Sequence, residues 1–118
     1  RYQGSVFVDR FDANSYLYIT RAMDYFDLTK QHCGNISKAF KESKTKFFII
    51  SFTSDWLYPT SENKDIVIAL NAIGADVGFV EIKTDKGHDS FLLDVPDFLS
   101  TIKNYLSTTY LNINERRI

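Results

Sequence analysis

The middle of the chain contains two short, mainly apolar runs with the pattern of buried β-strands. The first covers Lys46 to Phe52 and the second covers Val77 to Ile82. Both end in a polar segment, which is typical of strands that are covered on both faces in a parallel sheet. Between the runs, apolar residues recur at helical spacing up to Gly74, the residue type that favours the end of a helix. The pattern therefore predicts two parallel strands joined by a helix.

Capping residues predict where the neighbouring helices start. Thr60 or Ser61 is expected to cap the helix between the strands, and Asp94 is expected to cap a last helix with Pro96 in its first turn. A shorter helix is expected from Ile36 to Ser43, just before the first strand. From that strand onwards the order is strand, helix, strand, helix, which is typical of the edge of a larger doubly wound α/β sheet.

An aromatic helix is predicted near the start of the chain. Its N-cap is Asp12 or Asn14, and it extends to Leu28. The apolar positions at helical spacing are Tyr16, Ile19, Met23 and Phe26. Further aromatic side chains occupy its other sides, so this helix is expected to pack against more than one neighbour.

Composition and charge narrow the class of protein. The 118 residues are 44% hydrophobic and 25% charged, with a net charge of -1, which is ordinary for one globular domain. The scattered lysines form no basic patch that would indicate nucleic-acid binding, and no apolar stretch is long enough to cross a membrane. The lone Cys33 cannot form an internal disulfide, which predicts a reducing compartment, the cytoplasm.

Both ends of the chain indicate a piece of a longer protein. The chain opens at Arg1 without a methionine and without the pattern of a signal peptide. Residues 111–118 lose apolar periodicity and are expected to form a polar tail. Because two strands do not make a self-sufficient sheet, the other strands are expected upstream.

The candidate chemistry lies directly after the two predicted strands. Asp55 follows the first strand and His88 follows the second, 33 residues later. Because the carboxyl ends of neighbouring parallel strands meet at one edge of a sheet, both side chains are expected at that edge. Asp55 would then orient the imidazole of His88 as a general base, as in a serine triad. Spacing alone leaves open the alternative of a surface histidine beside a surface acid.

No residue of the chain has the sequence features of a triad nucleophile. A nucleophilic serine of this kind sits on a strained turn between small residues, whereas Ser51, Ser54 and Ser90 have bulky or polar neighbours. Cys33 beside His32 is a weak alternative, because sequence neighbours seldom align as nucleophile and base. Two histidines and one cysteine also lack the spacing of metal ligands, so no metal is expected.

Four segments of the sequence together resemble one enzyme family. They are RYQG, RFDANSYLYITRAMDYFDL, SFTSDWLYP and GHDSFLLD. They resemble the carboxyl-terminal part of homoserine O-acetyltransferases, which are acyltransferases of methionine biosynthesis with an α/β-hydrolase fold. The resemblance extends from Arg1 to about Leu106. It implies that Asp55 is the triad acid, that His88 is the triad base and that Asp89 contacts the homoserine substrate.

The resemblance also implies a division of the chain. Residues 44–110 would be the C-terminal part of the α/β-hydrolase core, followed by the tail at 111–118. Residues 1–43 would be the end of a helical lid and a connector, and the helix from Ala13 to Leu28 would pair two subunits as a homodimer. The nucleophilic serine and the oxyanion-hole donors would lie before Arg1.

The implied reaction transfers an acetyl group from acetyl-CoA to the hydroxyl of L-homoserine through a serine acyl-enzyme. Acetyl-CoA would be a co-substrate, and no cofactor would stay bound. Alternatives are succinyl-CoA as the donor, serine as the acceptor, an esterase with the same acid and base, or a non-catalytic interaction piece. The isolated 118 residues are expected to be inactive.

Overall fold

The computed structural model describes residues 2–115, apart from the side chains of residues 3 and 115. The chain divides into two compact units, Arg1–Ala39 and Phe40–Ile118, whereas the sequence predicted a boundary after residue 43. The helices and strands are, in chain order, α1 (Tyr2–Arg10), α2 (Ala13–Tyr25), α3 (Ile36–Phe40), β1 (Phe47–Phe52), α4 (Thr60–Ala72), β2 (Val77–Ile82) and α5 (Pro96–Glu115). Two short 3₁₀ helices lie at Lys30–His32 and His88–Leu92.

The aromatic helix α2 starts where the sequence predicts but ends earlier. The carboxylate of Asp12 accepts a hydrogen bond of 2.8 Å from the N–H three residues later, so Asp12 rather than Asn14 is the N-cap. The predicted end at Leu28 is wrong, because the helix ends at Tyr25. After it, the Asp27 carboxylate accepts hydrogen bonds from the N–H and the hydroxyl of the residue two positions later. Such local bonds compete with helical ones.

The first unit leaves most of its aromatic surface open. Phe7 packs on Phe11 and Tyr16, with ring centroids 5.8 Å apart in both pairs. No residue of α2 is buried. The exposed apolar side chains of α2 are Tyr16, Leu17, Tyr18, Ile19, Met23 and Tyr25. The described part of the first unit therefore does not supply the neighbours that this helix was expected to have.

The second unit is built on the parallel strand pair that the sequence predicts. The register runs from Phe47 opposite Val77 to Phe52 opposite Ile82. The bounds of β2 match the prediction, and β1 begins one residue after the predicted Lys46. Within residues 2–115 the sheet has two strands, so each strand is paired along one edge.

Helices cover both faces of this sheet. α5 packs on one face, where Tyr105 stacks on Phe48 with ring centroids 4.0 Å apart. Because side chains of a strand alternate between faces, Ser51 points to the opposite face, where its Oγ accepts a hydrogen bond of 3.0 Å from the hydroxyl of Thr60 in α4. The predicted α/β class with covered parallel strands is confirmed.

Gly78 makes the aromatic contact to α5 possible. It pairs with Phe48 in the register, and a Cβ at position 78 would lie 3.0 Å from a ring carbon of Phe48. A side chain there would have to push that ring off Tyr105. Glycine in the interior of a strand weakens that strand, but at position 78 it leaves room for the ring of Phe48 to pack between the sheet and α5.

The core lies at the carboxyl ends of the strands. Phe52, Ile82 and Val95 are buried there, and the ring of Phe98 lies 5.4 Å from that of Phe52. Leu70 of α4 is fully buried as well. The cluster around Phe52 and Ile82 lies directly before the loops that carry Asp55 and His88, and Leu70, near the end of α4, is not part of it.

Three further predicted helix boundaries differ from the structure. The residue before α4 is Pro59, which offers no side-chain cap, so neither Thr60 nor Ser61 is the N-cap. The hydroxyl of Thr60 bonds across to β1 instead. The last helix begins at Pro96, so the position before it is held by Val95 rather than by the predicted Asp94. The short helix α3 ends before the predicted Ser43.

The predicted polar tail is partly helical. α5 continues to Glu115, so residues 111–115 extend the last helix, and residues 116–118 lie outside the described part of the chain. Leu111 and Ile113 on this extension are exposed. No helix within residues 2–115 is both long enough and apolar enough to pass through a membrane.

Candidate active site

Strand β1 and the turn after it place Asp55. The ladder continues one residue past the strand, where the N–H of Thr53 donates to the carbonyl of Ile82 at 3.0 Å. The N–H of Asp55 then donates to the carbonyl of Phe52 at 3.1 Å, which closes a tight turn. The side chain of Asp55 is only 7% exposed as a result. A buried carboxylate needs partners, because burying an unpaired charge is costly.

Three donors surround the Asp55 carboxylate. Its Oδ1 accepts hydrogen bonds from the N–H groups of Leu57 and Tyr58, at 2.9 and 3.0 Å. Its Oδ2 lies 2.9 Å from Nδ1 of His88. The turn therefore fixes one oxygen and leaves the other directed at the histidine. The predicted meeting of Asp55 and His88 at the sheet edge is what the structure contains.

His88 begins the 3₁₀ helix that follows β2. Its side chain is 34% exposed, and two aromatic rings flank it. The ring centroid of Tyr58 lies 5.0 Å from that of His88, and the centroid of Phe91 lies 5.5 Å away at a steep angle. Packing and the bond to Asp55 together restrict the ring to one orientation, while part of it stays open to solvent.

The hydrogen bond to Asp55 sets the tautomer of the neutral imidazole. An ionised carboxylate can only accept a hydrogen bond, so we assign the ring proton of His88 to Nδ1. Nε2 then carries a lone pair, and it has no hydrogen-bond partner among residues 2–115. A histidine held in this way can take a proton at Nε2 and return it, as a general base and then a general acid.

The pKa of Asp55 is lower than its ordinary value. Burial on its own raises the pKa of this carboxyl, but the hydrogen bond from His88 and those from the N–H groups of Tyr58 and Leu57 together outweigh burial. Asp55 is therefore ionised at neutral pH, which is the state that a partner of imidazole requires.

This lowered pKa predicts a pH dependence of stability. A carboxyl whose pKa is lower in the folded state contributes stability above its unfolded pKa, about 3.9, and loses that contribution as pH falls through the folded pKa. We expect the urea-unfolding midpoint of the complete protein to fall less steeply between about pH 5 and pH 2 in Asp55→Asn than in wild type. Asp85→Asn, at an exposed loop position, controls for the loss of one charge and should keep the wild-type slope. Parallel slopes for wild type and Asp55→Asn would contradict the prediction.

The acid and base line a cleft of about 280 Å³. Its other lining residues are Ile50, Ser51, Phe52, Tyr58, Asn63, Phe91 and Phe98. The walls are mainly apolar, and the polar groups gather around the acid–base pair, an arrangement suited to a small organic group that is oriented by a few polar contacts. Within the described residues, no three side chains of His, Cys, Asp or Glu converge as metal ligands.

Asp89 is exposed and does not line this cleft. It directly follows His88, so it lies at the rim of the same loop. Its assignment to homoserine stays a prediction. Tyr58 and Phe91 were not predicted from the sequence as neighbours of the imidazole. An aromatic residue three positions after each member of the pair was the available signal.

The serines near the site have other hydrogen-bond partners. Ser51 is buried and bonded to the hydroxyl of Thr60. Ser54 and Ser90 both bond to the backbone of Gly87. The hydroxyl of each of the three serines therefore already has a hydrogen-bond partner among the described residues, and the absence of a nucleophile among them stays a prediction.

Gly87 carries a backbone conformation that other residues rarely adopt. Its φ and ψ are 69° and -153°, a region essentially restricted to glycine. We expect Gly87→Ala to destabilise the complete protein by about 1–3 kcal/mol or to shift the loop and lower kcat. Gly4→Ala is the control, since Gly4 lies exposed in helix α1 with open space around it and alanine favours helix. Thermal unfolding and turnover of both variants check this, and equal stability of the two would count against it.

Comparisons with known proteins agree on one family. The homoserine O-acetyltransferase of Pelagibacter ubique (strain HTCC1062) is 81% identical over 110 residues, which cover 93% of this chain and 30% of the relative. The homoserine O-acetyltransferase of Rhodopseudomonas palustris (strain BisB18) is 60% identical over 108 residues, covering 92% of this chain and 27% of the relative. That of Rhodospirillum rubrum is 60% identical over 106 residues. The chain thus spans less than a third of the length of these curated relatives. No family model matches the chain.

Proposed function

We propose that this chain, which corresponds in sequence to the C-terminal part of homoserine O-acetyltransferases, supplies the acid and the base of a serine triad in such an acyltransferase. The observation that carries the proposal is the 2.9 Å contact between Asp55 Oδ2 and His88 Nδ1 at the carboxyl ends of two parallel strands. The acid and base have the contacts and burial that proton transfer requires.

The remaining parts of the proposal concern the complete protein. Residues 44–110 form the end of an α/β-hydrolase core, and the nucleophilic serine and oxyanion-hole donors come from outside these 118 residues. α2 is the last part of a helical lid at which two subunits pair. Its row of exposed apolar side chains supports this role. Such a biosynthetic enzyme would work in the cytoplasm.

In the first half-reaction the serine hydroxyl attacks the thioester carbonyl of acetyl-CoA. Nε2 of His88 removes the hydroxyl proton as the new C–O bond forms. When the C–S bond breaks, the imidazolium returns that proton to the sulfur of the departing CoA. Asp55 stabilises the imidazolium between these steps, because its carboxylate is ionised and already bonded to Nδ1.

In the second half-reaction His88 removes the proton of the homoserine hydroxyl, whose oxygen attacks the acetyl-serine. The serine oxygen leaves and takes the proton from Nε2, which regenerates the enzyme and releases O-acetylhomoserine. Asp89 holds the ammonium group of homoserine by a charge-assisted hydrogen bond. Its exposed position next to His88 leaves its carboxylate free for a ligand.

This role of Asp89 predicts a selective defect. We expect Asp89→Asn in the complete protein to lower kcat/KM for homoserine by about 10- to 100-fold, because the amide oxygen can still accept the hydrogen bond but the charge that strengthens it is lost. Formation of the acetyl-enzyme, followed as a burst of CoA, should be unchanged because homoserine takes no part in it. Asp85→Asn is the matched control, and an equal loss in both variants would refute a specific role for Asp89.

The proposed function is tested with the complete protein, acetyl-CoA and L-homoserine. The expected result is CoA release that depends on homoserine and yields O-acetylhomoserine in equal amounts. CoA release without homoserine would identify an esterase-like hydrolase, and faster turnover with succinyl-CoA would identify a different acyl donor. The isolated chain should show neither activity, since it lacks the nucleophile.

A further inference from the structure

Two serine hydroxyls hold the peptide groups on either side of Gly87. The Oγ of Ser54 accepts a hydrogen bond of 2.9 Å from the N–H of Gly87. The Oγ of Ser90 donates to the carbonyl of Gly87 at 2.6 Å, and the N–H of Ser90 donates to the same oxygen at 3.2 Å. Ser90 is 0% exposed, and the Ser54 bond is partly buried. Both hydroxyls are therefore held in place by hydrogen bonds that are at least partly shielded from solvent.

The hydrogen bonds of Ser54 and Ser90 to the peptide groups of Gly87 together form a clamp. This clamp lies next to the acid–base pair. Ser54 precedes Asp55 and Gly87 precedes His88, so the bond from Gly87 to Ser54 links the same two loops as the bond from His88 to Asp55. It joins the two loops one residue away from the reacting side chains. A neighbouring exposed bond joins the loops through Thr53, whose Oγ1 contacts the carbonyl and the N–H of residue 84 at 3.1 Å each.

The backbone conformation of Gly87 makes the clamp necessary. With a φ of 69°, Gly87 sets the direction in which the chain enters the 3₁₀ helix and therefore where the His88 ring starts. Glycine has more accessible conformations than any other residue. Without the clamp, rotation at Gly87 would move the imidazole relative to a carboxylate that the Asp55 turn holds in place.

We propose that Ser54 and Ser90 are positioning residues, which fix His88 against Asp55 by holding the peptide groups of Gly87. Their effect on turnover rests on the proposed acyl transfer, but their effect on the imidazole does not. Neither hydroxyl touches a substrate in this assignment. The clamp also gives a physical role to the two serines near the site that lack the features of a nucleophile.

Turnover by serine variants of the complete protein is the first test. Ser54→Ala should lower kcat by about 10- to 100-fold, the range expected when a catalytic group is displaced by up to 1 Å. KM for homoserine and acetyl-CoA should stay within about threefold, because the clamp does not touch substrate. Ser54→Thr keeps a hydroxyl and should recover most of the rate. Ser100→Ala is the matched control, since that exposed hydroxyl donates to the carbonyl of Asp97 in the same helix.

The imidazole itself gives a second readout that does not require activity. In the wild-type protein with ¹⁵N-labelled histidine, the His88 signal, assigned by its loss in His88→Gln, should show Nδ1 protonated and Nε2 free. In Ser54→Ala and in Ser90→Ala the two nitrogens should shift toward an average of both tautomers. Thermal unfolding separates this effect from misfolding of the buried Ser90 variant.

The outcomes distinguish this inference from the proposed function. A kcat of Ser54→Ala within twofold of wild type, or a lowered kcat with an unchanged His88 signal, would overturn the positioning role. A wild-type protein that transfers no acyl group would overturn the proposed function instead. In that case the ¹⁵N shifts in the serine variants would still decide whether the clamp orients His88.

Discussion

Replacing His88 with glutamine in the complete protein should lower kcat for acetyl transfer by about 10⁶-fold, as in serine enzymes whose base is removed. Glutamine is similar in size, but it cannot take a proton at neutral pH. Both half-reactions need that proton transfer. The formation of the acetyl-enzyme and its reaction with homoserine should therefore both be slowed. A stopped-flow assay of CoA release, with and without homoserine, measures the two steps separately.

His32→Gln is the matched control for this variant. His32 belongs to the short 3₁₀ helix Lys30–His32 in the other unit, and its substitution should leave kcat within about twofold of wild type. Unfolding curves should show that the His88 variant is folded. A His88→Gln protein that keeps more than about one hundredth of the wild-type rate would show that another group is the base.

Asp55→Asn in the complete protein should lower kcat by about 10⁴-fold while the fold is kept. The amide oxygen of asparagine can still accept hydrogen bonds from the N–H groups of Leu57 and Tyr58, so the turn is preserved. Its NH₂ group, however, would donate to Nδ1 of His88. The ring proton would then sit on Nε2, which could no longer accept a proton from either hydroxyl.

The tautomer explanation for Asp55→Asn has its own check. The ¹⁵N signals of His88 should show a protonated Nε2 in this variant and a protonated Nδ1 in wild type. Asp85→Asn should retain the wild-type rate and signal. An unchanged rate in Asp55→Asn would mean that this acid is only a carboxylate beside a histidine, without a role in turnover. A low rate with the wild-type tautomer would show that Asp55 acts in a different way.

The strands could be predicted well from the sequence, because apolar segments and turn residues such as glycine are local features of the chain. β2 has the predicted bounds, since Val77 to Ile82 is a mainly apolar segment between Gly74 and a polar loop. Gly74 does take a positive φ, 69°, at the end of α4. The parallel pairing followed from the length of the crossover between the strands, and with it the meeting of Asp55 and His88.

The helix ends were less predictable, because a hydroxyl has more than one possible partner. Thr60 resembles an N-cap in sequence, yet its hydroxyl bonds to Ser51 on the neighbouring strand. Asp94 is one residue too early, and Pro96 sets the start of the helix after Val95. The helical extension at 111–115 has weak apolar periodicity, which is why the sequence indicated a tail.

The two residues of the candidate site could be predicted from the sequence, but the contacts that hold them in place could not. Order along strands placed Asp55 and His88 together, whereas the clamp on Gly87 depends on side-chain directions that no local pattern encodes. The same holds for the ring of Tyr58, which reaches His88 across 30 residues of chain. The sequence offered no candidate nucleophile, because none of the three serines near the site has the turn that a nucleophilic serine requires.

Within residues 2–115 each strand of the sheet has one edge without a partner strand, and this matters when the chain is produced by itself. β1 reads FFIISF, a six-residue segment without charge or proline, and in residues 2–115 only one of its two edges is paired. Segments of this kind add strands from other copies and aggregate when their edge is open. The 118 residues expressed alone are therefore expected to accumulate largely as insoluble material.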